Sequence, residues 1–269
     1  MRLLSLLLAL TLSLALPVGA AEPDLLPLAG GAKASIDALP TSKLAPLDYA
    51  KLAAEDAEAD RKGAPGGFRY AHASKLALDA HDDGRWLKAA DGRMLWHWRV
   101  RSPDALHLNF GFTKFFLPEG AQLRILAGDG SAVLGPYTSA HNGRQRQLWT
   151  APLFANEAIL ELAVPAALRA GVELQLAQVG IGYRGVGLKS KHCKSGSCNT
   201  DVACLGANDP WNLPRRAVAS YSLGGGRICT GSLLNNTRGD RRMLFATATH
   251  CEITTANAAS LVVFWNFES

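Results

Sequence analysis

The first 192 residues contain no cysteine, and residues 195–269 contain no lysine. The first absence removes disulfide staples and thiolate ligands from the front of the chain, so a fold there must rest on its apolar core. Aspartate is missing from 252–269, and long apolar runs are missing everywhere except at the amino terminus. Charge of one sign nowhere accumulates. The 28 Lys and Arg against 23 Asp and Glu leave a net charge of +5, and the basic residues are scattered; no nucleic-acid partner is expected from such a surface. What is present is ordinary globular material, 48% hydrophobic and 19% charged over 269 residues, enough for one or two domains with a sizeable core.

Residues 1–21 read as a secretory signal peptide. Arg2 carries the charge, Leu3 to Leu16 the apolar segment, and Val18-Gly19-Ala20-Ala21 the small residues of a cleavage site. A membrane-spanning helix needs roughly 20 apolar residues, and Pro17 and Gly19 interrupt this run earlier. The expectation is a secreted protein, periplasmic or extracellular, with disulfides permitted and no membrane contact once the signal is removed. Residues 22–67 form an irregular and helical lead-in. Within it, 22–46 are rich in Ala, Pro and Leu without a period. Leu47 to Arg61 read as a helix with Glu and Asp on a solvated outer face, ended by Gly63 and Pro65.

From Phe68 to about Tyr183 the period becomes two. Met94, Trp96, Trp98 and Val100 alternate with Leu95, His97, Arg99 and Arg101, and Leu106, Leu108, Phe110 and Phe112 alternate with His107, Asn109 and Gly111. Further runs occupy Gln122–Ala127, Ala158–Val164 and Val172–Val179, with turn residues between. Short alternating strands of this kind predict an antiparallel β-sandwich over 68–194, its last residues a cleavable linker. Trp96, Trp98, Trp149 and Tyr183 could stack on sugar rings, but their register with other apolar positions favours the core. His72, His81, His97, His107 and His141 show no metal-ligand spacing and read as surface or rim residues. No cofactor is expected.

All five cysteines lie in 193–251, an odd, one-sided count that leaves a partner missing or a thiol free. Cys193, Cys198, Cys204 and His192 fit no common zinc spacing. Strand candidates follow at 217–223, 227–234, 242–249 and 261–266, with Gly224-Gly225-Gly226 as a turn. Ser232 sits mid-strand, unsuited to a nucleophile, and Asn235-Asn236-Thr237 is a sequon of little weight.

Two runs carry a resemblance. Cys229-Thr230-Gly231-Ser232-Leu233-Leu234-Asn235-Asn236 followed by Phe245-Ala246-Thr247-Ala248-Thr249-His250-Cys251 resembles the bacterial lysyl endopeptidase branch of the trypsin-like serine proteases. Ser195-Gly196-Ser197-Cys198-Asn199-Thr200-Asp201-Val202-Ala203-Cys204 is similar to the mature amino terminus of that branch, and Gly180-Ile181-Gly182-Tyr183-Arg184-Gly185 to the close of its pro-segment. The resemblance implies an all-β protein, a sandwich pro-domain followed by the incomplete first β-barrel of a trypsin-like enzyme over 195–269. It implies His250 as general acid/base, a Cys229–Cys251 disulfide beside it, and partners for Cys198 and Cys204 downstream of Cys251; Cys193 has no assigned role. It further implies processing after Lys194, peptide or protein substrates, and a pro-domain acting as intramolecular chaperone and inhibitor.

Chymotrypsin-type order is His, Asp, Ser. Residues 251–269 hold neither an Asp nor a Gly-Asp-Ser-Gly, and Glu252 and Glu268 are the only carboxylates there. The expectation is therefore the front part of a secreted zymogen, truncated after the histidine and inactive as given. Glu252 is expected to point away along a continuing strand. The lysine-free tail suits an enzyme that cuts after lysine and spares itself, although arginine usage alone could also produce it. A non-enzymatic exported sandwich, binding or inhibitory, with a vestigial protease tail is the alternative.

Overall fold

The computed structural model describes residues 23–185, 202 and 205–267. The expected signal peptide, Lys194, Cys193, Cys198 and Cys204 lie outside these residues. In chain order the elements are β1 (Thr41–Lys43), α1 (Tyr49–Lys62), β2 (Phe68–Arg69), β3 (Ala71–Asp79), β4 (Trp86–Lys88), β5 (Met94–Arg101), β6 (His107–Phe116), β7 (Gln122–Ala127) and β8 (Val133–Tyr137). They continue with β9 (Leu148–Trp149), β10 (Glu157–Val164), β11 (Glu173–Gly182), β12 (Val218–Leu223), β13 (Arg227–Leu234), β14 (Leu244–Thr247) and β15 (Val262–Trp265). The protein is all-β. Among the described residues no helix is long and apolar enough to cross a membrane.

Two sheets make the sandwich. One runs β1-β5-β10-β7-β8 with β4 also on β5; the other runs β3-β11-β6-β9. Alternation drives the packing, because successive side chains on a strand point to opposite faces. Leu160 and Leu162 of β10, Trp96 and Val100 of β5, and Leu123 and Ile125 of β7 meet Phe110 and Phe112 of β6 and Val179 and Ile181 of β11 in one core. Trp96 is buried and its indole N–H bonds Asp83 O at 2.7 Å, while the half-buried Trp98 bonds Ser42 Oγ at 2.9 Å. These rings are packing and bonding groups of the fold.

The outer face of the first sheet is covered as well, and two expectations, for the lead-in and for His97, change for that reason. The lead-in lies on it. Leu25 packs with Leu126 and Ile159, and Leu26 and Leu28 with Ala89, Leu95 and Ala163, while β1 adds in parallel to β5. His97, expected at the surface or rim, is consequently only 2% exposed. Its Nε2 lies 3.0 Å from Glu161 Oε2, and the same buried carboxylate accepts Leu26 N–H at 2.7 Å and Arg124 Nε–H at 2.8 Å. Burial pushes the Glu161 carboxyl up, but the bonds from His97, Leu26 and Arg124 outweigh it and hold the group below the usual range. His107 of the other sheet, also expected at the rim, is fully buried for a different reason: Tyr70 and Phe154 pack against its ring.

Helix α1 begins at Asp48, whose side chain accepts Lys51 N–H, and ends at Gly63 in the left-handed conformation. Its acidic face is not wholly solvated. Asp56 is 6% exposed and bonds Arg69, Arg184 and the Tyr183 hydroxyl. The partners arrive from distant parts of the chain, which a local charge pattern does not reveal.

The third sheet runs β14-β13-β12-β15 and is open. β12 and β13 form a hairpin across the glycine turn 224–226. β2, placed in the sandwich by its sequence position, instead pairs with β13: Arg69 opposite Arg227 and Phe68 opposite Ile228.

Candidate active site

β14 pairs with β13 only from Gly231 to Leu234. Tyr221 OH lies 2.8 Å from Thr247 Oγ1, and Thr247 donates on to Thr230 O at 2.9 Å, which fixes where β14 stops. The chain then turns through a 3-10 segment, Thr249–Cys251. Cys229 of β13 and Cys251 form a disulfide across this turn, with 22 residues of separation in sequence. Cys251 is buried, and His250 beside it is exposed. The strand does not continue past the turn. Glu252 has φ 57°, so the chain folds back and Glu252 O accepts the Asn257 side-chain N–H at 2.9 Å.

A ring nitrogen of His250 and the sulfurs of Cys229 and Cys251 lie within 4.8 Å of one another. The sulfurs are bonded to each other, so they offer no thiolate, and the imidazole alone is no metal site. Among the described residues the His250 ring makes no hydrogen bond and no ion pair. Ser232 lies within β13, opposite Val218 and Ala246. Ser260 is buried, accepts Gly224 N–H at 2.9 Å and donates to Asn257 O at 2.6 Å, so its hydroxyl is committed to the fold. The arrangement offers one exposed imidazole on a cross-linked turn, able to accept or donate a proton.

A strap from the front of the chain runs past this turn, and sequence reasoning missed it. Gly66 N–H bonds His250 O at 2.5 Å, and Arg227 Nη1–H bonds Pro65 O at 3.2 Å. Gly67 has φ 73°, and a Cβ on it would come within 2.6 Å of Ile228 O and 2.9 Å of Cys229 Sγ. Only glycine accommodates that conformation and that approach together. Further along, Tyr70 N–H bonds Gly226 O, Asn109 Nδ2–H bonds Gly225 O and Gln178 Nε2–H bonds Gly224 O. A cavity of about 440 Å³ opens beside the strap, lined in part by Arg69, His72, Arg227, Cys251 and Glu252. The one local signal for the strap was Pro65-Gly66-Gly67, which reads as a turn.

Residues 192–269 match the family described as lysyl endopeptidase, C-terminal domain. A lysyl endopeptidase of Pseudomonas aeruginosa is 28% identical over 200 residues, covering 68% of this chain and 43% of the relative. The chain thus spans less than half the length of that relative. The matched segment carries the His250 turn, and over it the chain is similar to lysyl endopeptidases.

Proposed function

We propose that the chain carries the pro-segment and the histidine-bearing sheet of an exported serine endopeptidase that cuts peptides, preferentially after lysine. The observation that carries this reading is the His250 turn: an exposed imidazole one residue from a buried cysteine, tied by its disulfide to the neighbouring strand. In this role His250 takes the proton of a serine hydroxyl as it attacks the peptide carbonyl, then gives that proton to the leaving amine. The orienting carboxylate, the serine and the oxyanion donors are groups that residues 1–269 do not contribute, so this stretch alone has no turnover.

In the same reading 1–21 is removed as a signal peptide and 22–194 is the pro-segment, separated from 195 onward by cleavage after Lys194. Cys198 and Cys204 pair outside this stretch. The sandwich and its lead-in template and inhibit the enzyme, and the contacts of residues 64–71 with the His250 turn are consistent with that task.

The test is expression from the native locus, with the secreted product's amino terminus and its cleavage of lysyl and arginyl peptides measured. A product beginning at Ser195 that cuts after lysine, and loses more than about 1,000-fold in kcat with His250→Ala, is the expected result. Secretion without any His250-dependent cleavage would defeat the reading.

A further inference from the structure

Tyr70 and His107 meet where the sandwich faces the open sheet. Tyr70 joins β2 to β3, is 1% exposed, and its hydroxyl lies 2.9 Å from Ser222 Oγ. Its ring stacks on the imidazole of His107 with the centroids 5.3 Å apart. His107 opens β6, has 0% exposure, and neither of its ring nitrogens has a hydrogen-bond partner. Phe154 closes another side edge-on at 5.8 Å. Gly182 of β11 closes a third, where a Cβ would lie 2.1 Å from His107 Nε2.

No charge faces this ring to balance a proton. From the strap comes Tyr70, whose phenol burial pushes up to about 12 and which is therefore neutral. From β11 and its end come Gly182 and the backbone of Arg184, whose guanidinium turns to Asp56 and to the Phe68 ring. Two residues along β6, Asn109 bonds Gly225 O, and from the loop after β9 comes Phe154. Among the described residues no carboxylate pairs with His107. A buried imidazole without a well-formed hydrogen bond is tolerated as the neutral form; a proton there would be a buried charge with no counter-charge, and the Arg184 backbone nearby favours it less than burial opposes it.

We propose that His107 is an acid-sensitive latch: once protonated, it displaces Tyr70 and lets the strap of residues 64–71 leave the sheet beside His250. The inference rests on reading the sandwich as an inhibitory pro-segment. Burial pushes His107 down from its ordinary 6.5 to about 4. Because the docked value lies below the free one, the stabilisation of the docked strap is complete above pH 6.5 and is lost as the pH falls from 6.5 toward 4. Over that window the undocked form gains up to tenfold per pH unit, about 300-fold in all.

Hydrogen–deuterium exchange of the full chain at about pH 7 and about pH 4.5, corrected for intrinsic exchange, tests the latch. The amides to follow are Gly66, Tyr70 and Ala71, whose bonds cross to His250 and Gly226. The expected result is at least about a tenfold loss of their protection at the lower pH, with β10 amides unchanged, and no pH response in His107→Phe. Unchanged protection in the wild type, or an equal loss in His107→Phe, overturns it. If His107→Phe loses β10 protection, His107→Gln takes its place with the same expectation. Assaying the enzyme expressed with its pro-segment separates the two readings. A strap that opens in acid with no gain of activity keeps the latch and removes the inhibitory role. A strap that stays closed while still inhibiting does the reverse.

Discussion

The sandwich and the open sheet are written in the same period-two pattern, yet they bury their strands to very different depths. In the sandwich, Phe110, Leu123 and Leu160 are 0% exposed because a second sheet faces each of them. In the open sheet the buried hydrophobic residues are Ala219 and Tyr221, with Cys251 buried in the turn after β14, while Leu234 is 51% exposed and Trp265 is 41% exposed. An alternating strand defines a face, and only a partner element turns that face into a core. The open sheet has two substitutes among the described residues, the Cys229–Cys251 bridge and the strap of residues 64–71. Its order therefore depends on a cross-link and on a neighbour, whereas the sandwich depends on neither.

Core truncation exposes the contrast most directly. Phe110→Ala should cost the sandwich about 3–5 kcal/mol, the sum of lost transfer energy and a cavity. Leu234→Ala in the open sheet should change stability by less than about 0.5 kcal/mol, since that side chain is already in water. Denaturant unfolding followed by exchange in β10 and β13 separately reads both. The bridge comes next. Replacing Cys229 and Cys251 together by serine removes a link across 22 residues, worth about 3 kcal/mol by loop closure. That loss should abolish amide protection in β13 and β14 while leaving β10 untouched; equal loss in both regions would mean that they fold as one unit.

Much of this architecture was legible in the sequence because it is local. The alternating run of Gln122 to Ala127 becomes β7, the run around Ala158 to Val164 becomes β10, and the glycines at 224–226 form the hairpin turn. The two runs flanking the His250 turn were also visible, since their strand patterns and cysteines lie within 30 positions of one another. What escaped was long-range cover. His97 sits on the face that alternation assigns to solvent, and it is buried by residues 23–39 of the lead-in. His107 and Tyr70 meet because β3 and β6 flank β11, with Ala71 and His107 both opposite Gly182. Asp56 looks like one more surface charge until Arg69, Tyr183 and Arg184 converge on it. No window of a few residues contains such contacts.

The strap supplies the two smaller tests. Gly67→Ala places a Cβ against Ile228 O and Cys229 Sγ in a backbone region where alanine is strained. A loss of about 1–3 kcal/mol in strap docking is expected, read as faster exchange at Tyr70 and Ala71 with β10 unaffected. If β10 exchange rises as well, the strap belongs energetically to the sandwich and the division drawn above is misplaced.

Tyr70→Phe is the mildest change and the most discriminating. It keeps the ring on His107 and removes only the hydroxyl that meets Ser222 Oγ, 2.9 Å away. A single such bond is worth about 1 kcal/mol net, so strap protection should fall about fivefold at neutral pH. The pH response should persist, because the stacked ring and the partnerless imidazole remain. Loss of the pH response in Tyr70→Phe would place the sensitivity in the Tyr70–Ser222 hydrogen bond instead of in the buried histidine. That would leave the open sheet held by a polar contact rather than by the packing that the sandwich presents to it.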